Sequence, residues 1–238
     1  MADKLLEVNK INVFYNGLQV LWDISLNVEE EEIVSLVGPN GAGKTTVLKT
    51  IQGLIHPSNG EIKFLGKRIE HLSCHERVDM GITYVPEKGG IFLDMTVREN
   101  LELGAYSPAS REKRDETLEY VYELFPMLKE KESKIAGSLS GGMQRMLAIG
   151  KGLMSRAKIL LLDDPFLGLA PKLILKLYGT IMDINEAGVA ILLVGQHVSL
   201  ILNLSDRAYL MEAGRITLEG RGEELLNDEH LRRTMFGV

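Results

Sequence analysis

With Cys74 as its one cysteine, the chain cannot form an internal disulfide. Its longest apolar runs, residues 159–162 and 189–194, fall far short of the ~20 residues that a spanning helix needs. The opening Met1-Ala2-Asp3-Lys4 carries no apolar stretch of signal-peptide type. These absences predict a protein of the cytoplasm that does not cross a membrane by itself. A basic stripe is also missing: the net charge is -6, and Lys and Arg are interspersed with acids, as along 111–116. Nucleic acid is therefore not an expected partner. Internal repeats, low-complexity tracts and long linkers are lacking as well.

What the chain does have is apolar content, 45% over 238 residues, ample for one large domain or two small ones. One nucleotide-binding unit over 1–238 is the simpler reading. The segment Gly38-Pro39-Asn40-Gly41-Ala42-Gly43-Lys44-Thr45-Thr46 follows an apolar strand at 33–37 and runs into a helical start at 47–51. That is a phosphate-binding P-loop at the strand-to-helix junction its mechanism requires. Glycines let backbone N–H groups close around the β-phosphate, Lys44 reaches the β- and γ-phosphates, and the Thr45 hydroxyl binds Mg²⁺. The expected ligand is a nucleoside triphosphate.

Short β-like runs at 5–8, 11–15, 24–28, 33–37 and 60–65 predict a strand-rich edge wrapped around the P-loop strand. Ser73 with Glu76 makes a capping-box pattern, which predicts a helix over 74–80 ending at Gly81, followed by a buried strand at 82–85. Helical spacing runs from Thr96 to about Ser155, an insertion assigned to residues 88–155. Beyond it, apolar runs at 159–162 and 189–194 flank a helical segment at 172–186, the βαβ pattern of a parallel sheet.

Two further segments carry chemistry. Ile159-Leu160-Leu161-Leu162-Asp163 is a buried strand ending in a carboxylate, which suits an acid holding Mg²⁺ against the phosphates; a strand-end aspartate capping the next helix is the plainer alternative. Asp164 follows at once, where a base would orient attacking water. Leu139-Ser140-Gly141-Gly142-Met143-Gln144 precedes a helical run at 145–154, so a serine and exposed glycine amides offer a second anion site, or else a Ser-capped glycine hinge.

The P-loop, the LSGG signature at 139–142, the Asp163 strand and the upstream aromatic Tyr15 stand in an order and spacing that resemble the nucleotide-binding subunits of ATP-binding-cassette transporters, over essentially the whole chain. The resemblance implies an α/β fold: a P-loop NTPase core with a mostly parallel sheet, an antiparallel β edge subdomain and an inserted helical subdomain. It implies ATP and Mg²⁺ as ligands. It also implies a head-to-tail pair of ATPases in which Ser140, Gly141 and Gly142 contact ATP held by the partner. Tyr15 matches the aromatic that stacks on adenine, unless it is an ordinary strand tyrosine, and Val20 matches the apolar residue beside the base. Segments 121–126, 146–150, 168–171 and 231–237 look like the second ATPase subunit of branched-chain amino-acid importers, the LivF type. Such a subunit docks on permease membrane subunits at the inner face of the cell membrane. It pairs with a second ATPase, an unequal pair being favoured, and is served indirectly by an extracytoplasmic amino-acid-binding protein.

Several positions depart from the pattern. Glu87 stands where Gln is usual; it could bind Mg²⁺ or position water, or be a solvated loop acid, and it opens the loop 87–99 that meets the membrane subunit. Asp164 stands where Glu is usual, one methylene shorter, and predicts slow but detectable turnover. Phe166 replaces a serine in a dimer-facing loop, and Met143 replaces a glutamate. The γ-phosphate switch is read as Gln196, with His197 as the second choice. His71, Cys74 and His75 are read as an exposed helix start rather than a metal site. Three functions remain: an ATP-driven import motor, a nucleotide-gated clamp working away from membranes, and a module that closes on ATP yet barely hydrolyses it. The second is disfavoured because the chain has neither a long coiled-coil insertion nor a second cassette.

Overall fold

Two strands, β1 (Lys4–Tyr15) and β2 (Leu18–Glu29), form a hairpin through Asn16 and Gly17, both at positive φ, as a tight two-residue turn demands. The computed structural model describes residues 4–237, and Met1-Ala2-Asp3, read above for lack of a leader, lies outside them. Next come β3 (Ile33–Val37), α1 (Lys44–Gln52), β4 (Asn59–Phe64), β5 (Lys67–Arg68), α2 (Cys74–Met80) and β6 (Ile82–Val85). Helices follow: α3 (Val97–Gly104), α4 (Pro108–Glu112), α5 (Arg114–Leu124), α6 (Pro126–Lys129) and α7 (Gly141–Leu153). The remainder is β7 (Ile159–Asp163), α8 (Pro171–Glu186), β8 (Ala190–Val194), α9 (Val198–Leu204), β9 (Arg207–Glu212), β10 (Arg215–Arg221), α10 (Gly222–Leu225) and α11 (Glu229–Phe236).

One sheet runs in the order β10-β9-β3-β8-β7-β6. Its pairs β9–β3, β3–β8, β8–β7 and β7–β6 are parallel, and β10 is antiparallel to β9. Every residue of β3, β7 and β8 is buried, which is why these strands read as unbroken apolar runs rather than alternating ones. Successive side chains still go to opposite faces. Leu160 and Leu162 pack with Val121, Leu147 and Ile181 of the helices, while Ile159 and Leu161 pack with Leu48 and Ile51 of α1. Each fully buried Leu or Ile contributes roughly 1.5–3 kcal/mol. The antiparallel sheet β2-β1-β4-β5 closes over that second face through Leu6, Ile11 and Phe64.

The α/β class, the mostly parallel sheet, the antiparallel edge sheet and the helices inserted between β6 and β7 agree with expectation. Other elements differ in instructive ways. The runs at 5–8 and 11–15 are one strand, because Lys10 at φ 48° and a register shift between Val8 and Ile11 form a bulge that the pairing tolerates. The helical stretch is cut into five, with Pro108 and Pro126 opening α4 and α6. The signature helix begins at Gly141, not 145. Strands β9 and β10 were not expected at all.

For function the important consequence is where the parallel strands end. The carboxyl ends of β3, β8, β7 and β6 lie side by side and release the P-loop, Gly195-Gln196, Asp163-Asp164 and Pro86-Glu87. Ligands of open α/β sheets bind at such carboxyl ends.

Candidate functional site

The P-loop bends sharply into α1 at Gly43, whose φ is 107°. The left-handed backbone there favours glycine, and a Cβ would stand 2.8 Å from Leu21 Cδ2 and from Met211 Cε, side-chain tips that would have to shift. The first-turn amides of α1 have no acceptor within the helix and sit at its positive end, ready for an anion. Lys44 folds over the loop, its ammonium donating to the carbonyls of Gly38 (2.7 Å) and Pro39 (3.0 Å). Burial lowers the Lys44 pKa, against the opposing pull of Asp164 and then Asp163. Ala42 is buried and its carbonyl accepts the Gly214 N–H at 2.9 Å, which ties the loop to the β9–β10 turn.

A cavity of about 360 Å³ lies above this turn, lined by Val20, Asn40, Gly41, Gly43, Lys44, Thr45, Thr46, Glu87, Asp164 and Gln196. Asp163, at the end of β7, is tied to the lining residue Thr45: the Thr45 hydroxyl donates to Oδ1 at 3.0 Å, and the Tyr84 hydroxyl donates to Oδ2 at 2.8 Å. Burial raises the Asp163 pKa, the two hydroxyl bonds lower it, and the charges of Asp164 and Glu87 raise it. Tyr84 is shifted upward, by burial first and then by Asp163, so its phenol keeps its proton and remains a donor. Asp164 is 7% exposed and adopts φ 45°, unusual for a residue with a side chain. Its Oδ1 accepts the Gln196 N–H at 2.9 Å. Thr45, Asp163 and Glu87 offer oxygen donors only, the donor type that suits a hard divalent cation. Among the described residues no three His, Cys, Asp or Glu side chains gather around one point.

Other expected residues stand apart from the cavity. Tyr15 ends β1 and is 42% exposed. His197 is exposed and caps α9, because the chain turns after Gly195 instead of continuing as an extended strand; Gln196, not His197, lines the cavity. Ser140 caps α7, its Oγ accepting the Met143 N–H at 3.4 Å, and Gly141 and Gly142 form that helix's first turn. Phe166, which stands where a serine is usual, is 1% exposed and packs in the core of this chain.

Three contributors were missed in the sequence. Tyr84 reads only as a strand residue, because the β6–β7 register that carries it to Asp163 is a long-range property. Arg145, five residues after Ser140, donates to the Pro86 carbonyl at 2.7 Å and to the Glu87 carbonyl, so α7 holds the loop that carries Glu87. Lys151 adds a bond to the Gly90 carbonyl at 2.9 Å and lies 4.3 Å from the Phe92 ring centroid. A charge one helical turn or two beyond the signature was the available signal.

Comparison with known proteins agrees with this geometry. The family model described as ABC transporter matches residues 21–167. The high-affinity branched-chain amino acid transport ATP-binding protein BraG of Pseudomonas aeruginosa is 40% identical over 233 residues, covering 98% of this chain and 100% of that protein. The probable branched-chain amino acid transport ATP-binding protein LivF of Archaeoglobus fulgidus is 35% identical, covering 98% of this chain and 99% of that protein. Among solved structures, the ADP conformation of MJ1267, an ATP-binding cassette of an ABC transporter, superposes with a TM-score of 0.87 at 27% identity, covering 99% of this chain and 100% of that one. Among the described residues no helix is long and apolar enough to cross a membrane.

Proposed function

The chain belongs to the ABC transporter family, whose ATP-binding subunits hydrolyse ATP, and from that premise we propose that it is the Mg²⁺-dependent ATPase subunit of a branched-chain amino-acid importer. The observation that carries this reading is the near-complete, end-to-end match to two such importer ATPases in a chain whose strand ends gather a P-loop, two carboxylates and an amide around one cavity. It acts at the inner face of the cell membrane, docked on permease subunits through the loop 87–99. An extracytoplasmic amino-acid-binding protein supplies the substrate. Residues 88–155 act as an inserted helical subdomain of one ATPase domain.

In this reading the α1 amides and the Lys44 ammonium, turned from the Gly38 and Pro39 carbonyls, hold the β- and γ-phosphates. Tyr15 and Val20 take the adenine. Thr45 and Asp163, with Glu87 near, are the protein's oxygen donors to Mg²⁺. When bound, Mg²⁺ offsets the charge on the β- and γ-phosphate oxygens. Gln196 turns its amide to the γ-phosphate, and Asp164 orients a water and accepts its proton as the oxygen attacks phosphorus and the bond to the β-phosphate breaks, giving ADP and phosphate. Ser140, Gly141 and Gly142 reach across to ATP on a second ATPase subunit, so each site is complete only in the pair. The short Asp164, held at φ 45° and engaged by the Gln196 backbone, supports slow turnover and keeps a second reading in view, a module that closes on ATP while its partner hydrolyses.

The deciding experiment measures Mg²⁺-dependent ATPase rate for the wild type, Lys44→Ala and Asp164→Glu, alone and with the co-encoded ATPase and permease subunits in liposomes. Lys44-dependent turnover that rises on assembly and drives leucine uptake supports the motor. ATP binding without Lys44-dependent hydrolysis, restored by Asp164→Glu, supports the second reading. Turnover coupled to a different solute would sink the substrate assignment.

A further inference from the structure

Asp163 is 2% exposed, yet both of its carboxylate oxygens are occupied by hydroxyls from different elements. Thr45 of α1 donates to Oδ1 and Tyr84 of β6 donates to Oδ2. The terminal torsion of an aspartate is broad and roughly two-fold, so a single hydrogen bond leaves its carboxylate plane loosely set. Two donors on opposite oxygens fix it. We propose that Tyr84 is a positioning residue for the divalent cation, holding the Asp163 carboxylate so that Oδ1 stays beside the Thr45 hydroxyl. The proposal rests on reading Thr45 and Asp163 as the protein donors to that cation.

The sheet register explains why this task falls to a tyrosine. Tyr84 pairs with Leu161, two residues before Asp163, so the donor must reach about 6–7 Å along the neighbouring strand. A tyrosine spans that distance with a rigid ring, and serine or threonine would not. The neighbouring hydroxyl, Thr83 Oγ1, goes to the other face of β6 and bonds Ser155 at 2.6 Å, so nothing else on the strand can substitute. Removing the Tyr84 donor would leave Oδ2 buried without a partner and the carboxylate free to rotate away from Thr45. Partners that orient a metal ligand without touching the metal commonly change affinity by about 10- to 100-fold.

The test uses the full chain as wild type, Tyr84→Phe and Asp163→Asn. Mn²⁺ binding in the presence of ADP is followed by the electron paramagnetic resonance signal of free Mn²⁺, and ADP binding in EDTA serves as folding control. The expected result for Tyr84→Phe is a dissociation constant for Mn²⁺ raised by about 10- to 100-fold with metal-free ADP affinity unchanged. In ATPase assays the Mg²⁺ concentration for half-maximal rate rises by a similar factor, while the rate at saturating Mg²⁺ falls much less. Wild-type Mn²⁺ affinity in Tyr84→Phe alongside lost affinity in Asp163→Asn overturns the role of Tyr84 alone. Wild-type Mn²⁺ affinity in Asp163→Asn overturns the reading of Asp163, and the proposal with it. If Tyr84→Phe fails the ADP control, Tyr84→His, which keeps a ring but is too short to reach Oδ2, is judged by the same outcomes.

Discussion

Asp164 and Gln196 form one unit: the Asp164 Oδ1 accepts the Gln196 backbone N–H at 2.9 Å, and the Asp164 N–H donates to the Val194 carbonyl at 2.8 Å. The loops after β7 and β8 are thereby laced together on both sides of Gly195. The side-chain amide of Gln196 stands 3.5 Å from Oδ2 of the same carboxylate. A non-glycine residue at positive φ is a strained arrangement that persists only where surrounding contacts impose it, and these two bonds are such contacts.

Gly195 is what permits this lacing. A Cβ at that position would come within 2.6 Å of Ile201 Cδ1 and 3.0 Å of Asp164 Oδ1. Gly195→Ala should therefore push Asp164 off its place, lowering kcat by about 10- to 100-fold while ATP still binds. Single-turnover hydrolysis beside equilibrium ATP binding tests it; an unchanged kcat would show that the acid does not depend on the switch loop for its position.

Arg145 joins the signature helix to the loop carrying Glu87 through two backbone carbonyls. Arg145→Met should leave nucleotide binding in place and uncouple that loop from α7. In the assembled complex the stimulation of ATPase by the permease subunits should drop by at least about tenfold. Equal stimulation in wild type and variant would rule out this route.

Legibility in the sequence followed the range of the interactions involved. The bounds of β3, α2 and β6 came out as read, because an apolar run before a P-loop, the Ser73–Glu76 box and a Gly81–Pro86 bracket are local signals. Lys44, Asp163 and Asp164 were read together from the P-loop and the acids at a strand end, while Glu87 and Gln196 were added by likeness, since nothing in local pattern gives the strand order β3-β8-β7-β6. Tyr84, Arg145 and the pairing of β9 with β3 were invisible for the same reason: each depends on register between segments far apart in the chain. Strand alternation allowed only one of Gln196 and His197 to face the site, and likeness favoured Gln196; the alternation itself stops applying once the chain turns after Gly195.

Arg77 is fully buried, and no carboxylate among the described residues is bonded to it. Its Nη1 donates to the carbonyls of Thr50 (2.8 Å) and Ile51 (2.7 Å) at the end of α1, and Nε to Leu72 (3.1 Å). The negative end of the P-loop helix supplies the countercharge. Arg77→Met would leave these carbonyls without that donor in the interior, a loss of roughly 3 kcal/mol. Thermal unfolding of the nucleotide-free chain should fall by roughly 5–10 °C; a shift within error would mean that water replaces the guanidinium.

One carboxylate ties the C-terminal helix, whose Leu231 is buried in the core, to β9. Glu212, on β9, accepts hydrogen bonds from Thr217 (2.6 Å), from His230 (2.7 Å) and from Thr234 (3.2 Å), the last two on α11. The Thr217 bond is the largest influence holding the Glu212 pKa below the ordinary carboxylate value, burial opposes it, and His230 and Thr234 add to the lowering. Because the folded-state pKa is depressed, the stabilisation is fully present above the unfolded value, about 4.3, and is lost as pH falls through the lower folded value. Acid should therefore loosen α11 from β9, and Glu212→Gln should flatten the pH dependence of stability below about pH 4.3 while starting from a lower plateau at neutral pH. Denaturant midpoints across that range, with hydrogen exchange of the α11 amides as a local probe, give the answer. Parallel curves for wild type and Glu212→Gln would show that other carboxylates govern the acid limb.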